Sequence, residues 1–115
     1  MKSKIQDIVV KKNAKETIKI DYNTLRKSVL TLRAINHPLR KEMIQKVEEK
    51  QKMTVTELYV GLKLEQSVAS QHLAILRKAG VLSTTRDGKF IFYTVNKERL
   101  EEISNLVVEL AKHSN

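Results

Sequence analysis

TVTELYVGLKLEQSVASQHLAILRKAGVLSTTRDGKFIFYTV, residues 54–95, decides the fold. It reads as a short helix, a turn, a second helix and a tight hairpin, with no spare residues between them. The second helix opens at Gln66-Ser67 and closes at Ala79-Gly80, and the hairpin turns at Asp87-Gly88. This order is a helix-turn-helix followed by a wing, a unit that usually lays its second helix in the major groove of DNA.

The helix expected over 66–79 carries the clearest pattern. At about 100° per residue, Val68, Ala69, Leu73, Ile75, Leu76 and Ala79 fill one continuous arc. Gln66, Ser67, Ser70, Gln71, Ala74, Arg77 and Lys78 fill the other, which holds no acid. An ordinary solvent-facing helix mixes Glu with Lys; this face can approach a polyanion without like-charge repulsion. Gln71 is the best base reader, because Gln can bond adenine through two hydrogen bonds. Gln66, Ser67 and Ser70 suit phosphates or base edges near the helix N-terminus. Arg77 and Lys78 lie nearer the DNA backbone. His72 falls in the apolar arc, where a packed histidine bonded to a nearby carbonyl is favoured over a DNA contact.

The hairpin is expected as Val81–Arg86 and Lys89–Val95 about an Asp87-Gly88 turn, with Arg86 and Lys89 flanking the tip. Two cations there suit a phosphate or minor-groove contact, although charged tips also serve solubility. Before this unit, Thr54 or Thr56 caps a short helix carrying Leu58, Tyr59 and Leu62; with Thr54 as the cap, Glu57 completes a capping box. Gly61 and Leu62-Lys63-Leu64 make the turn. Upstream, Pro38 to about Glu49 forms a helix with Leu39, Met43, Ile44 and Val47 inward, entered through Asn36-His37-Pro38.

Asp21 caps a first helix reaching about Ile35. Leu25, Val29 and Leu32 share one face of it, and Leu30 and Ala34 another. Two apolar faces need two partners: one can be the chain's own core, the other a second subunit. Asn96 caps a last helix, 97–112, striped by Leu100, Ile103, Leu106, Val107 and Leu110. Residues 1–20 carry six lysines against Asp7 and Glu16. Their runs Ile8-Val9-Val10 and Thr17-Ile18-Lys19-Ile20 can pair as a hairpin, but a frayed basic arm is the expectation. The chain thus divides into an arm, 1–20, and one domain, 21–113.

Composition supports this. The 115 residues include 22 Lys+Arg and 13 Asp+Glu, a net charge of +9, which favours a polyanionic partner. Three glycines and one proline suit a helix-rich globular chain. The absence of cysteine removes disulfides and thiolate metal sites and fits a cytoplasmic location. The N-terminus lacks the apolar run of a signal peptide, and no segment reads as a membrane span. His37, His72 and His113 fall in different elements, and the glycines at 61, 80 and 88 form no phosphate loop. No catalytic residues, cofactor or metal site are expected, and an enzyme is not.

Thr31 through Val95 resembles the ArsR-type winged-helix repressors. Leu32-Arg33-Ala34-Ile35-Asn36-His37-Pro38-Leu39-Arg40 is similar to the family's L-x-D-P-x-R entry to its second helix. Leu64-Glu65-Gln66-Ser67-Val68-Ala69-Ser70-Gln71-His72-Leu73, with Leu76-Arg77-Lys78-Ala79-Gly80-Val81-Leu82, is similar to its recognition-helix motif, and Asp87-Gly88-Lys89 with Tyr93 to its wing. The resemblance implies a homodimer joined through the first and last helices, gripping a near-palindromic operator and repressing it, often until an inducer binds. The inducer is unknown. Leu25, Val29, Leu100, Ile103, Leu106, Val107 and Leu110 are the expected interface. The chain departs from the family where metal is sensed: it has no cysteine, and only His113 matches the zinc ligands of the last helix. His37 stands where the family has Asp, and Glu65 where it has Ser; Glu65 either tunes DNA affinity or caps the helix. The alternatives are a winged-helix protein–protein interaction module or an RNA-binding basic domain. The first predicts acids on the 66–78 face, and the second exposed aromatics.

Overall fold

The computed structural model describes residues 8–13, 15 and 17–112. Its elements are β1 (Ile8–Lys11), β2 (Thr17–Ile20), α1 (Tyr22–Ile35), α2 (Pro38–Lys50), α3 (Val55–Gly61), α4 (Gln66–Lys78), β3 (Leu82–Asp87), β4 (Phe90–Val95) and α5 (Lys97–Lys112). β1 pairs antiparallel with β2, Ile8 opposite Ile20 and Lys11 opposite Thr17. The frayed-arm expectation is therefore corrected for these residues: two short β-branched runs supply enough strand preference to pair.

Every helix except α4 starts at a side-chain cap. An Asp21 carboxylate oxygen accepts from the Asn23 amide at 3.0 Å, opening α1. His37 Nδ1 accepts from the Leu39 amide at 3.1 Å, opening α2 with Pro38 in its first turn. The Thr54 hydroxyl accepts from the Glu57 amide, and the Glu57 carboxylate accepts from the Thr54 amide, so the capping box forms on α3. Asn96 Oδ1 accepts from the Arg99 amide at 3.2 Å at the start of α5.

α3 and α4 end alike. The Leu64 amide donates to Tyr59 O and the Lys63 amide to Val60 O; beyond α4, the Val81 amide donates to Leu76 O and the Gly80 amide to Arg77 O. Both are Schellman closures needing a left-handed residue after the cap. Gly80 fills that position at φ +79. At the first closure Lys63 takes it, at φ +55, while Gly61 stays helical. The turn expected from Gly61 and Leu62-Lys63-Leu64 thus forms at its last three residues, while Gly61 remains the end of α3. A side chain at Gly80 would meet Arg99 Nε at 3.0 Å, so glycine also answers a close approach there.

The core gathers Met43 and Val47 of α2, Leu58 of α3, Ala69, Leu73 and Leu76 of α4, and Val81 and Leu82, all essentially removed from water. α1 meets it through Ser28, Thr31 and Ala34, so of the two apolar stripes only Ala34 reaches the core. Leu25, Val29, Leu30 and Leu32 are all exposed. Small side chains let α1 lie close, and their hydroxyls are satisfied: Ser28 donates to Thr24 O, and Thr31 bonds Lys27 O at 2.9 Å and Ala79 O at 3.1 Å. Ile75, expected in the core arc of α4, is 42% exposed.

β3 and β4 pair with Leu82 opposite Val95 and Asp87 opposite Phe90. The two turn residues are therefore Gly88 and Lys89, one place later than expected. Gly88 has φ +62, and Lys89 has no positive φ, the pattern of a type II′ turn. Arg86 now faces Ile91, and Lys89 sits inside the turn instead of flanking it. Met53 joins this sheet by exchanging two backbone hydrogen bonds with Tyr93, at 3.1 and 2.7 Å.

Leu73→Ala should cost about 2–5 kcal/mol in urea unfolding. Ile75→Ala, at the same protein concentration, should stay within about 0.5–1 kcal/mol. Equal losses would place Ile75 back in the core.

Candidate nucleic-acid interface

α4 turns one face inward and the other to solvent. Ala69, Leu73 and Leu76 are buried, Val68 and Ala79 half-buried, and Gln66, Ser67, Ser70, Gln71, Arg77 and Lys78 all exposed. Ala74 is exposed among them, so the middle of the face is shallow. The face carries no acid. Glu65 occupies the N-cap position, but its side chain makes no capping hydrogen bond, which sets aside the capping reading. No side chain at the cap therefore claims the first amides of α4, and they keep their capacity to meet an anion.

Behind this face, α4 is tied to α1 and α2 by one guanidinium. Arg40 donates from Nε to Ala34 O at 2.6 Å and from Nη2 to Arg33 O at 3.2 Å, and its Nη1 lies 3.2 Å from His72 Nδ1. Arg is always a donor, so His72 Nδ1 accepts and its proton sits on Nε2. The partner of His72 is thus a donor, Arg40, and not the expected carbonyl. The His37 ring lies 4.8 Å from that of His72, tilted by 46°. Burial, then the neighbouring His37 and Arg40, hold the His72 pKa below its ordinary value of 6.5. The sequence placed the histidines in separate elements; the fold brings these two together. His113 lies outside the described residues. Among the described residues, no group of three or more metal-binding side chains is assembled.

The wing presents its charge differently from the expectation. Arg86 Nε folds over the tip to donate to Gly88 O at 3.1 Å. Lys89 Nζ stands 5.7 Å from the centre of the Phe90 ring. Lys52, which the sequence did not single out, lies over the Phe92 ring at 4.6 Å and 3.9 Å from Asp87 Oδ2. Such an exposed pair contributes about 0–1 kcal/mol, but it screens the only acid of the hairpin. Phe90 and Ile91 are each 54% exposed beside these cations, and they too went unremarked. Their signal was available: strand alternation places them at the tip, beyond the reach of the core.

The residues expected to join two subunits are divided. Leu25, Val29 and Val107 are exposed, Leu100 and Leu106 half-buried, and Ile103 buried by its own chain. Val108 is exposed beside Val107. Leu110 lies in α5, but its side chain is outside the described part. No helix among the described residues is long and apolar enough to cross a membrane.

A model of the bacterial regulatory protein arsR family matches residues 37–84, the span from the α2 cap through α4 into β3. The transcriptional repressor PagR of Bacillus anthracis is 34% identical over 89 residues, covering 77% of this chain and 89% of the relative. This chain belongs to the arsR family of regulatory proteins. The PagR crystal structure superposes with a TM-score of 0.65 at 32% identity, over 76% of this chain and 99% of that one. HlyU of Vibrio cholerae, named a transcriptional activator, is 30% identical over 77% of this chain and 82% of its own length. Its structure superposes with a TM-score of 0.61 at 31% identity, over 74% and 92% of the two chains. As an arsR-family winged helix, the chain is a DNA-binding transcriptional regulator and not an enzyme.

The lowered pKa of His72 has a consequence for stability. The unfolded chain takes up the proton more readily than the folded one, so stability is full above the ordinary value of 6.5 and is lost as pH falls through the lower folded value. Urea unfolding should therefore weaken between about pH 7.5 and pH 5.5, and His72→Gln should flatten that part of the dependence. An unchanged slope in His72→Gln would assign the effect to other groups.

Proposed function

We propose that the protein is a homodimeric, cytoplasmic repressor that reads a near-palindromic operator with α4 and holds the DNA backbone with its wing. The observation that carries this is the outer face of α4: six exposed polar or basic side chains, no acid, and a fully buried apolar stripe on the opposite side. Gln71 lies midway along that face and reads a base edge. Gln66, Ser67 and Ser70 lie at the N-terminal end, where phosphates and base edges are both within reach. Arg77, Lys78, Arg86 and Lys89 meet phosphates. Repression rather than activation is supported by PagR, which is named a repressor, although HlyU is named an activator.

Gln71→Ala should cost about 1–3 kcal/mol on the operator and relax specificity at one symmetric pair of positions. Arg86→Ala and Lys89→Ala should weaken operator and random DNA alike and make the salt dependence shallower. Binding to both DNAs at several salt concentrations separates these roles. Equal loss on both DNAs from Gln71→Ala, with Arg86→Ala harming the operator alone, would reverse them.

The dimer rests on aligned exposure. Leu25, Val29 and Leu32 form one stripe of α1 that the chain's own core does not use, and Val107 and Val108 lie open on α5. A second copy would cover both, each fully buried aliphatic side chain contributing about 1.5–3 kcal/mol. Val29→Glu with Val107→Glu should yield monomers in sedimentation equilibrium. A double variant still dimeric at about 10 µM, close to where a micromolar complex would dissociate, would exclude this interface.

A further inference from the structure

Leu30 and Ile75 are two exposed aliphatic residues that neither the core nor the proposed dimer stripe uses. They line a groove of about 220 Å³ between α1 and α4, with Ala79 in its wall. Arg33, Arg40 and Lys78 stand around the same groove, and no acid lines it. Leu30 is 44% exposed and Ile75 42%, so the apolar surface is open to an incoming molecule. The volume is below that of a drug-sized site, which suits one small ring or a medium alkyl chain. The apolar wall is poorly matched to a fully hydrated inorganic anion, whereas three cations at the edge call for a negative head group.

We propose that this groove binds a small amphipathic carboxylic acid, its tail against Leu30 and Ile75 and its carboxylate at Arg33, Arg40 and Lys78, and that occupation weakens DNA binding. The second half rests on the DNA reading of α4. Lys78 and Ile75 belong to that helix, so a carboxylate at Lys78 neutralises a cation that would otherwise face phosphate. Arg40 already holds His72 of the same helix through Nη1. A carboxylate is a stronger acceptor than a neutral imidazole and competes for that donor, loosening the tie behind α4. The ligand and DNA then oppose each other through one helix, and the opposition is reciprocal.

The full chain is titrated with sodium octanoate, and separately with 1-octanol, which has the tail without the charge. Octanoate should saturate at one per chain and bind about tenfold more tightly than octanol, the ratio expected from added charge-assisted hydrogen bonds. Methyl resonances of Leu30 and Ile75 should shift, and those of buried Leu73 should not. Arg33→Gln, which keeps the backbone carbonyl that Arg40 uses, should weaken octanoate about fivefold and leave octanol unchanged. Ile75→Gln should weaken both. No saturation by about 10 mM, equal affinity for the two probes, or indifference to both substitutions would overturn the site. A groove already covered by a second copy would give the first of these results. Saturating octanoate should lower DNA affinity at least about threefold, and octanol should not. Octanoate bound with DNA affinity unchanged would overturn the regulatory half. A chain that takes up octanoate but binds no DNA would instead refute the DNA reading and leave the groove standing.

Discussion

A helix that presents one whole face to another molecule must be held entirely by the other, and α4 has three residues for this: Ala69, Leu73 and Leu76. All three are fully buried. Everything around them is arranged to close over that narrow stripe. Met43 and Val47 come from α2, Leu58 from α3, and Val81 and Leu82 from the start of the wing. Two large side chains and one small one give little redundancy, because protein interiors are close-packed and a lost methylene leaves a void. The same stripe carries the wing, since Val81 follows the α4 closure directly and Leu82 begins β3. Orientation of α4 and orientation of the hairpin are therefore consequences of one small packing event.

A polar contact completes what the stripe leaves unfinished. The last carbonyls of α1 would lack helical partners, and Arg40 takes two of them, at Ala34 and Arg33. Another of its five N–H groups reaches His72. This explains a histidine inside an apolar arc. The ring is desolvated and kept neutral beside a permanent cation, so it packs as an uncharged acceptor. Thr31 does the equivalent from α1, its buried hydroxyl reaching Ala79 O at the end of α4. α1 and α2 are thus fixed at the back of α4 by directional bonds, where aliphatic packing alone would allow sliding.

The parts legible in sequence were those specified locally. α4 begins at Gln66, where its apolar period starts, and α5 runs over 97–112, where the period and the Asn96 cap agree. The exposed polar face followed from the same projection. The misreadings share a cause, which is that the deciding partner is distant in the chain. Periodicity found Ala34 on the face α1 buries but not Ser28 and Thr31, which become acceptable in the core only once their hydroxyls find carbonyls. Asp87-Gly88 and Gly88-Lys89 are both plausible turns, and the choice falls to a register that pairs Leu82 with Val95 and Tyr93 with Met53. Within the expected turn the left-handed residue is Lys63 and not the glycine, because the closure of α3 is set by where Leu64 must enter the core. His37 and Arg40 are neighbours at the first turn of α2, but His72 lies 32 residues beyond Arg40, so no local pattern announced their cluster. Lys52 lies outside the hairpin whose aromatic face it covers.

The acids near the outer face of α4 show folding and binding pulling in different directions. Two are close in sequence, Glu65 and Asp87. Asp87 ends β3 and meets Lys52, so its charge is offset within the sheet. Glu65 has no such partner at the cap, yet a carboxylate beside a helix N-terminus is favourable by about 0.3–1 kcal/mol through the dipole. That gain is electrostatic and draws on the same positive end that would attract a phosphate. A serine cap would satisfy an amide without adding charge, whereas Glu65 stabilises the helix while repelling a polyanion. Under the DNA reading, the net charge of +9 then compensates at long range for a local repulsion. The compensation is screened by salt over about 10 Å at 0.1 M, whereas the repulsion acts at contact. Because Glu65 subtracts from the positive charge brought to a polyanion, it also lowers the number of counterions that binding releases, so the affinity of this face depends less steeply on ionic strength than it would without that acid.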